Sequence, residues 1–327
     1  MPTSVLFIGG TGIISWSCVK AALAAGHQVT VLNRGQSRKR PVPDGAELVV
    51  ADMHQPGSAA AALAGRSFGV VADFISYTPD QLQASVELLK GRTGQYIYIS
   101  SAAAYRRWGL QPITEGTTLA NPYWQYGRDK IACEEYLVGL IRAEDFPATI
   151  VRPSHTYDAA YIPTLGEWTD IARARAGKPI MIHGDGTAQW TLTHAEDFAF
   201  CFNALIGDWR AIGEPFQITG DEALPWNQIH TELAHAAGVP DPRFVHVPSD
   251  AILAADPDEG AGLLGDKAHS VTFDCSKVRR LAHGFRQRIP FSEGARQIVA
   301  WYDAHPEYQV INERYDRLCD SLVAKYA

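Results

Sequence analysis

A tyrosine and a lysine stand four residues apart at Tyr126 and Lys130, within a segment of helical character. Residues at this spacing share one face of a helix, so the phenol and the ammonium are expected side by side. A nearby positive charge favours the ionised phenol, whose pKa is about 10 in a free tyrosine. The pair therefore predicts that Tyr126 gives or takes a proton near neutral pH. Such pairs also occur by chance on ordinary helices, so the prediction needs support from elsewhere in the chain.

Two serines, Ser100 and Ser101, come directly after the apolar run 96–99, which predicts a strand. Doubly wound parallel sheets bind their ligands at the carboxyl ends of the strands. A serine hydroxyl at that edge can polarise a substrate carbonyl beside Tyr126. The spacing alone leaves both serines open as the catalytic partner.

The N-terminal segment predicts a dinucleotide site. A continuous apolar run at 5–8 is typical of a strand covered on both faces, and Gly9-Gly10-Thr11-Gly12 follows it directly. The glycines permit a tight turn, and the missing side chain at Gly12 lets a phosphate approach the N–H groups of the next helix. A plain strand-to-helix turn is the alternative. Ser15 stands where a third glycine is usual, which predicts an altered fit without loss of binding.

The residues after the second predicted strand decide which dinucleotide is expected. An acid there would accept the ribose hydroxyls of NAD and repel the 2′-phosphate of NADP. The chain has Asn33 and Arg34 instead, and Arg34 with Arg38 can clamp a phosphate, which favours NADP over NAD. Two solvated loop arginines are the alternative. Asp52 is expected to accept from the adenine amine or to cap its strand. The full predicted cofactor set is Gly9, Thr11, Gly12, Ile13, Ile14, Asn33, Arg34, Arg38, Asp52, Met53, Phe74, Ile75, Ser100, Tyr126, Lys130, Pro153 and His155.

Strand and helix patterns alternate through the first half of the chain. The order predicts an α/β fold, with a Rossmann-type doubly wound parallel sheet and a smaller, mixed α/β substrate domain. Residues 1–155 and 188–220 are assigned to the NAD(P)-binding domain, and 156–187 and 221–327 to the interleaved substrate domain. The chain is expected to return to the sheet near 190–205 and 216–219. The segment 253–265, rich in acid, proline and glycine, is expected to be a mobile or lid-like connection. The predicted strands are 5–8, 28–32, 48–51, 70–75, 96–99 and 148–151, and the predicted helices are 14–25, one capped by Thr78, and 126–142.

The composition narrows the functional class. The chain has 327 residues, 46% of them hydrophobic and 20% charged, which is typical of a globular protein. A net charge of −7 argues against nucleic acid or an anionic membrane as the main partner. No apolar run reaches transmembrane length and no signal peptide is evident. Five cysteines without CxxC spacing are typical of thiols in a reducing cytoplasm, where the protein is expected.

Taken in order, the motifs resemble those of the extended short-chain dehydrogenase/reductase family, which includes NAD(P)-dependent sugar epimerases and dehydratases. The resemblance spans nearly the whole chain. The matching segments are Gly9-Gly10-Thr11-Gly12, Ser100-Ser101-Ala102-Ala103-Ala104-Tyr105, Tyr126 to Lys130, Val151-Arg152-Pro153, Gly184-Asp185-Gly186 and His194-Ala195-Glu196-Asp197.

The resemblance implies a catalytic set of Ser101, Tyr126 and Lys130. The serine is Ser101 because the family's serine stands four residues before the tyrosine matched here by Tyr105. Lys130 is expected to hold the nicotinamide ribose as well as to act on Tyr126. The resemblance also implies a possible homodimer through the helix that carries Tyr126.

Two departures from the family pattern narrow the chemistry. Family dehydratases usually carry an Asp-Glu pair after the catalytic serine or threonine, and here those positions are Ala102 and Ala103, which cannot transfer a proton. Nucleotide-sugar enzymes usually have a diphosphate-binding arginine where this chain has Trp190. A free or simply modified sugar, a polyol or another hydroxy-ketone is therefore expected, although an arginine from elsewhere could restore nucleotide-sugar binding. The predicted substrate residues are Ser101, Ala102, Tyr157 and Trp190.

The sequence thus predicts an enzyme that transfers a hydride at a secondary alcohol or ketone of a sugar-like substrate, with Tyr126 as acid or base. Release of the ketone would make it a dehydrogenase or reductase, and reduction from the other face an epimerase; both remain open. The alternative from another class is a catalytically silent dinucleotide-binding sensor or an RNA-binding scaffold. His155 is open between a ligand contact and a structural role. No metal is expected, because His230 and His235 lie five apart on different helix faces.

Overall fold

The computed structural model describes residues 2–55, 57–109 and 111–327. Within these ranges, seven parallel strands form one sheet in the order β10-β6-β5-β4-β1-β2-β3. This confirms the predicted α/β class and the doubly wound order. No helix in the described part of the chain is both long and apolar enough to cross a bilayer. The strands of the large sheet are β1 (Ser4–Ile8), β2 (Gln28–Asn33), β3 (Glu47–Val50), β4 (Phe68–Asp73), β5 (Thr93–Ile99), β6 (Ala148–Pro153) and β10 (Pro215–Ile218).

Alternate residues of β1 show why this sheet is covered on both faces. Val5 and Phe7 pack into one buried apolar cluster, and Leu6 and Ile8 pack into another. Side chains alternate across a strand, so a run without polar residues requires a helical layer on each side. The helices around the sheet are α1 (Ile13–Ala24), α2 (Ser58–Ala62), α3 (Pro79–Leu89), α4 (Gln125–Glu144), α6 (Ala195–Asn203) and α10 (Ser276–Leu281).

Two smaller sheets lie outside the large one. The first is mixed: β9 (Gln189–His194) pairs parallel with β7 (His155–Tyr157) and antiparallel with β11 (Ala223–Pro225). The second pairs β8 (Ile180–His183) with β12 (Phe244–Val247). The expectation that the chain returns to the large sheet near residue 190 is wrong for β9, because β10 occupies the free edge of β6. The return near 216 is confirmed by β10.

The remaining helices cover these smaller sheets. They are α5 (Trp168–Arg175), α7 (Trp226–Ala236), α8 (Ser249–Ala255), α9 (Pro257–Gly262), α11 (Phe291–Ala304) and α12 (Glu313–Tyr326). The domain boundaries proposed from the sequence stay a prediction.

The segment 253–265, expected to be a mobile or lid-like connection, is helical in the structure, and its mobility stays a prediction. The segment forms α8, α9 and a π-helical turn, Leu263–Lys267. Asp256 caps α9 by accepting from the Glu259 N–H, and it also pairs with Arg314 at 2.6 Å. A side chain at Gly265 would collide with Trp124, because its Cβ would lie 2.7 Å from the tryptophan Cβ. The glycine therefore allows close packing against the residue before α4.

Strand β4 ends at Asp73, two residues before the predicted end. The Asp73 side chain is fully buried and accepts from the Ile75 and Ser76 N–H groups, both at 3.1 Å, which turns the chain out of the sheet. Thr78 then caps α3 as predicted, and it exchanges hydrogen bonds with Gln81.

Helix α4 is fastened to the sheet by a buried ion pair. The Arg152 guanidinium on β6 donates to the Glu134 carboxylate of α4, with Nε 2.9 Å and 3.1 Å from its two oxygens. Arg152 also donates to the Tyr105 hydroxyl at 3.0 Å. Since both charged side chains are nearly inaccessible to water, removing one leaves the other buried and unpaired. This contact fixes the position of the helix that carries Tyr126 and Lys130.

We expect Arg152→Met to lower the free energy of unfolding by about 3 kcal/mol, because it strands the Glu134 carboxylate. Urea denaturation followed by circular dichroism measures the loss. Arg317→Met is the matched control: Arg317 pairs with Glu313 at 3.3 Å on the exposed face of α12 and should change stability by less than about 0.5 kcal/mol. Similar losses in the two variants would contradict a special role for the buried pair.

Candidate active site

A cavity of about 1230 Å³ opens at the carboxyl ends of the large sheet's strands. It spans the point between β1 and β4 where the strand order reverses, which is where doubly wound sheets bind ligands. Its volume exceeds the usual range for a single small ligand, about 300–1,000 Å³, so it has room for a dinucleotide and a substrate together. The predicted residues that line it are Gly9, Thr11, Gly12, Ile13, Ile14, Asn33, Arg34, Asp52, Met53, Phe74, Ile75, Ser100, Ser101, Ala102, Tyr126, Lys130, Pro153, His155 and Trp190.

The glycine turn at the start of α1 is built for close approach. Gly9 and Gly10 have φ of +108° and +73°, which side chains disfavour. A Cβ at Gly10 would lie 2.7 Å from Val31 Cγ1. Ser15, in place of a third glycine, accepts from the Gly12 N–H at 2.8 Å and so closes the first turn of the helix. The next N–H groups, in the first turn of α1, have no partner within the helix. They lie at the end of α1 that lines the cavity.

The basic residues of the loop after β2 make different contacts. Arg34 is exposed on the cavity wall, whereas Arg38 is exposed and does not line the cavity among the described residues. Arg40 forms a bidentate ion pair with Asp158, both contacts at 2.6 Å. Lys39 lies over the ring of Tyr302, 4.9 Å from its centre, and donates to its hydroxyl at 3.0 Å. Arg34 thus lies on the cavity wall, whereas Lys39 and Arg40 hold the end of the loop to Tyr302 and Asp158.

Asn33, at the end of β2, holds the loop to the glycine turn. Its amide nitrogen donates to the Gly9 carbonyl at 3.0 Å, and its oxygen accepts from the Gly35 N–H at 2.7 Å. An acid at this position could not make the first of these bonds, because a carboxylate has no N–H to donate.

Lys130 is buried and held by three oxygen atoms. Its ammonium donates to the Ser76 and Ile99 carbonyls, both at 2.9 Å, and to the Tyr98 hydroxyl at 3.1 Å. The Ser76 carbonyl is placed by Asp73, which accepts from the Ser76 hydroxyl at 2.6 Å. Burial lowers the pKa of Lys130 to about 8, so the ammonium form predominates only below that pH.

The phenol of Tyr126 is not acidified as the sequence suggested. Burial raises the pKa of Tyr126 to about 12, and a hydrogen bond from Ser101 acts in the opposite direction but does not reverse the shift. The Lys130 ammonium lies 5.8 Å from the centre of the Tyr126 ring, and its donors are directed to other oxygens. The expectation of a phenolate near neutral pH is therefore wrong for the protein alone, and Tyr126 carries its proton there.

The two serines have separate environments. The Ser100 hydroxyl is buried and donates to the Glu134 carboxylate, inside the network that fastens α4. The Ser101 oxygen accepts from the Ala103 N–H at 3.0 Å, which leaves its proton free to donate. The structure brings Ser101 to the Tyr126 hydroxyl, and Ser100 to the structural ion pair.

Three of the four predicted substrate residues line the cavity and one does not. Ser101, Ala102 and Trp190 line it, but Tyr157 does not among the described residues. The Tyr157 ring is fully buried, 5.2 Å from the His194 ring and 5.3 Å from that of Phe291.

His155 lines the cavity. Burial lowers its pKa to about 3, so its imidazole is neutral at physiological pH.

Several lining residues escaped the sequence reasoning. Tyr161 lines the cavity and also packs against the neighbouring apolar cluster. Arg107 lies only two residues after Tyr105 of the serine segment. This short distance could have predicted that Arg107 lines the cavity. Asp266 and Lys267 gave no signal, because they reach the cavity only through the π-helical turn. The other lining residues without a predicted site role include Leu32, Gln36, Ser37, Ala51, His54, Tyr77, Gln81, Ile99, Trp124, Ser154 and Thr156.

The described residues fit a bound dinucleotide. The glycine turn packs closely against the sheet, because a Cβ at Gly9 would lie 2.9 Å from Ile75 Cγ2 and one at Gly10 would lie 2.7 Å from Val31 Cγ1. Unpaired N–H groups and the positive end of the α1 dipole suit its charge. Thr11, Gly12, Ile13 and Ile14 would hold the pyrophosphate. The role of Lys130 at the nicotinamide ribose stays a prediction, because its ammonium donates to three oxygens of the protein.

Comparison with known proteins agrees with this geometry. Residues 5–218 match the model of the NAD dependent epimerase/dehydratase family. The chain is similar to the 2'-dehydrokanamycin reductase of Streptomyces kanamyceticus, with 29% identity over 87% of this chain and 80% of that protein. It is also similar to the chloroplast stem-loop binding protein of 41 kDa b of Arabidopsis thaliana, with 27% identity over 74% of this chain and 65% of that protein.

Among solved structures, the fold is similar to that of epimerase Mth375 from Methanothermobacter thermautotrophicus. The TM-score is 0.77 with 18% sequence identity, and the match covers 94% of both chains. The predicted family resemblance and the predicted enzyme class are confirmed by the family match. The chain therefore belongs to the NAD-dependent epimerase/dehydratase family of enzymes.

Proposed function

We propose that this chain catalyses NAD(P)-dependent oxidation or reduction at a secondary alcohol or ketone carbon of a sugar-like substrate. The observation that carries the proposal is the grouping of Ser101, Tyr126 and Lys130 on one cavity wall, beside the glycine turn of α1. When bound, the nicotinamide supplies or accepts the hydride. The chain's own residues orient the substrate oxygen and move its proton.

The protonation state of Tyr126 favours the direction of reduction. Its hydroxyl keeps its proton at neutral pH, because burial raises its pKa to about 12. Tyr126 can then give that proton to a developing alkoxide while the Ser101 hydroxyl donates a second hydrogen bond to the same oxygen. The Lys130 ammonium, 5.8 Å from the Tyr126 ring centre, stabilises the tyrosinate left behind. The name of the Streptomyces relative, a reductase, agrees with this direction.

Dehydration does not fit this site. Ala102 and Ala103 form the short 3₁₀-helix that Ser101 caps, and neither side chain can transfer a proton. The reaction that we propose therefore ends with the alcohol or ketone, and it leaves the neighbouring carbon–oxygen bonds intact.

We expect Tyr126→Phe to lower turnover by a factor on the order of 10²–10⁴, because the proton donor is lost. Steady-state absorbance of the reduced dinucleotide measures turnover, and fluorescence titration should give an unchanged dinucleotide Kd. Tyr123→Phe is the control, since Tyr123 lies in the same segment with 48% of its surface exposed and should keep full activity. Turnover of every accepted substrate at close to the unaltered rate would refute the assignment of Tyr126.

The reduction rate should fall as pH rises through about 8. Burial lowers the pKa of Lys130 to that value, so the charge that stabilises the tyrosinate is present below it and lost above it. A profile of kcat/KM between pH 6 and pH 10 should show one inflection near pH 8 in the unaltered enzyme. In Lys130→Met the rate should be lower at neutral pH and the inflection absent. An inflection that survives the substitution would assign it to another group.

We also propose that NADP is preferred to NAD, because Arg34 stands exposed on the cavity wall and no acid follows β2. Arg34→Ala should weaken NADP binding by roughly tenfold or more and leave the Kd of NAD nearly unchanged. Titration of protein fluorescence with each dinucleotide measures both. Arg38→Ala, on the same loop but outside the cavity, should change neither by more than about twofold. Equal losses for the two dinucleotides in Arg34→Ala would remove the basis for the preference.

A second candidate is an RNA-binding scaffold, favoured by the name of the chloroplast relative. The net charge of −7 opposes it, because nucleic-acid binding depends mainly on neutralising phosphates. Salt-sensitive binding of a stem-loop RNA by a Tyr126→Phe protein, together with no turnover by the unaltered one, would favour this candidate over the enzyme.

A further inference from the structure

Arg107 is a buried arginine with more hydrogen-bond donors than the protein satisfies. It lines the cavity with 3% of its surface exposed. One guanidinium nitrogen, Nη2, donates to the Asp266 carboxylate from the π-helical turn. Nε and Nη1 have no partner among the residues that the structure describes. Buried donors of this kind are costly, and arginine keeps its charge under all ordinary conditions.

Trp190 adds a third unpaired donor beside the first two. Its indole ring lies 5.2 Å from the Arg107 guanidinium and is almost completely buried. The indole Nε1 likewise lacks an acceptor in the described part of the chain. Three donor nitrogens without acceptors, which carry four N–H groups between them, therefore lie close together in the cavity lining. A ligand rich in acceptor oxygens would satisfy them.

The charges at this end favour a negative ligand. Lys267 also lines the cavity, with its ammonium 3.8 Å from the Asp266 carboxylate. Asp266 therefore neutralises one of two neighbouring cations, and the group of three keeps a net charge of +1. His155 adds no charge, because its imidazole is neutral at physiological pH.

This end of the cavity is close to the reacting centre. Arg107 follows the turn that carries Ser101. The Lys267 ammonium lies 5.5 Å from the centre of the Trp124 ring, which is itself 4.7 Å from the centre of the Tyr126 ring. A ligand group held by Arg107 would therefore belong to the reacting sugar-like unit or be attached directly to it.

We propose that Arg107 and Trp190 form a subsite for an anionic group, a carboxylate or a phosphate, on the reacting unit of the substrate. This assignment rests on the proposed function for the identity of that unit. Asp266 takes the place of the substrate anion while the subsite is empty, because its carboxylate neutralises Arg107. It therefore competes with the incoming anion. Arg107 and Asp266 therefore have opposite effects on anion binding, whereas a purely structural ion pair would give losses of the same sign.

Equilibrium binding tests the subsite without turnover. Isothermal titration calorimetry on protein saturated with the reduced dinucleotide would compare D-glucose, D-glucuronate and D-glucose 6-phosphate. At least one anion should bind on the order of tenfold more tightly than glucose. The better anion identifies the group as carboxylate or phosphate. Arg107→Gln should remove the preference and leave weak glucose binding unchanged, while Asp266→Asn should strengthen binding of that anion by about threefold or more.

Two further variants guard against loss of structure. Arg106→Gln is the matched control, because the neighbouring Arg106 is exposed and its substitution should leave all three affinities unchanged. Arg107→Gln combined with Asp266→Asn keeps the pair neutral and should fold, and it should also lack the anion preference. Equal or undetectable binding of the three sugars, or weaker anion binding in Asp266→Asn, would overturn the subsite. Such a result would leave the role of Tyr126 standing, since turnover of Tyr126→Phe tests that separately.

Discussion

The buried ammonium of Lys130 is the constraint on which the site depends. A charge taken out of water must have its donors satisfied, and here the partners are two backbone carbonyls and one phenol from two segments, the turn after β4 and the end of β5. The Asp73 carboxylate positions the Ser76 carbonyl, and the end of β5 supplies the Ile99 carbonyl. The pair of Glu134 and Arg152 then holds α4 at the depth that lets the ammonium reach them. A helix displaced by one ångström would leave a buried positive charge without its oxygens.

The alternation of apolar runs was sufficient to predict the large sheet, because a parallel sheet covered on both faces leaves a strong pattern in the chain. The glycine turn and the pairing of Tyr126 with Lys130 could also be predicted, because each depends only on residues close together in the sequence. The position of β9 was not readable. Its pairing depends on which edge β10 already occupies, and that is decided far away in the chain.

The errors at the site share a physical origin. The sequence shows that Tyr126 and Lys130 are neighbours, but it does not show how much protein surrounds them, and burial outweighs the neighbouring charge in the pKa of the phenol. In the segment 253–265, glycine and proline suggested looseness, whereas the structure uses Gly265 for contact with Trp124 and Pro257 at the start of a helix. Composition describes the freedom of an isolated chain, and tertiary packing removes it.

The fastening of the loop after β2 has a consequence for the whole molecule. Lys39 lies among the rings of Trp301, Tyr302 and Tyr308, and Arg40 is joined to Asp158, so this loop is anchored in elements that wall the opposite half. The loop that carries Arg34 is thereby held against α11. Because Arg34 belongs to this loop, replacement of an aromatic side chain on α11 should shift Arg34 without altering any described residue that lines the cavity.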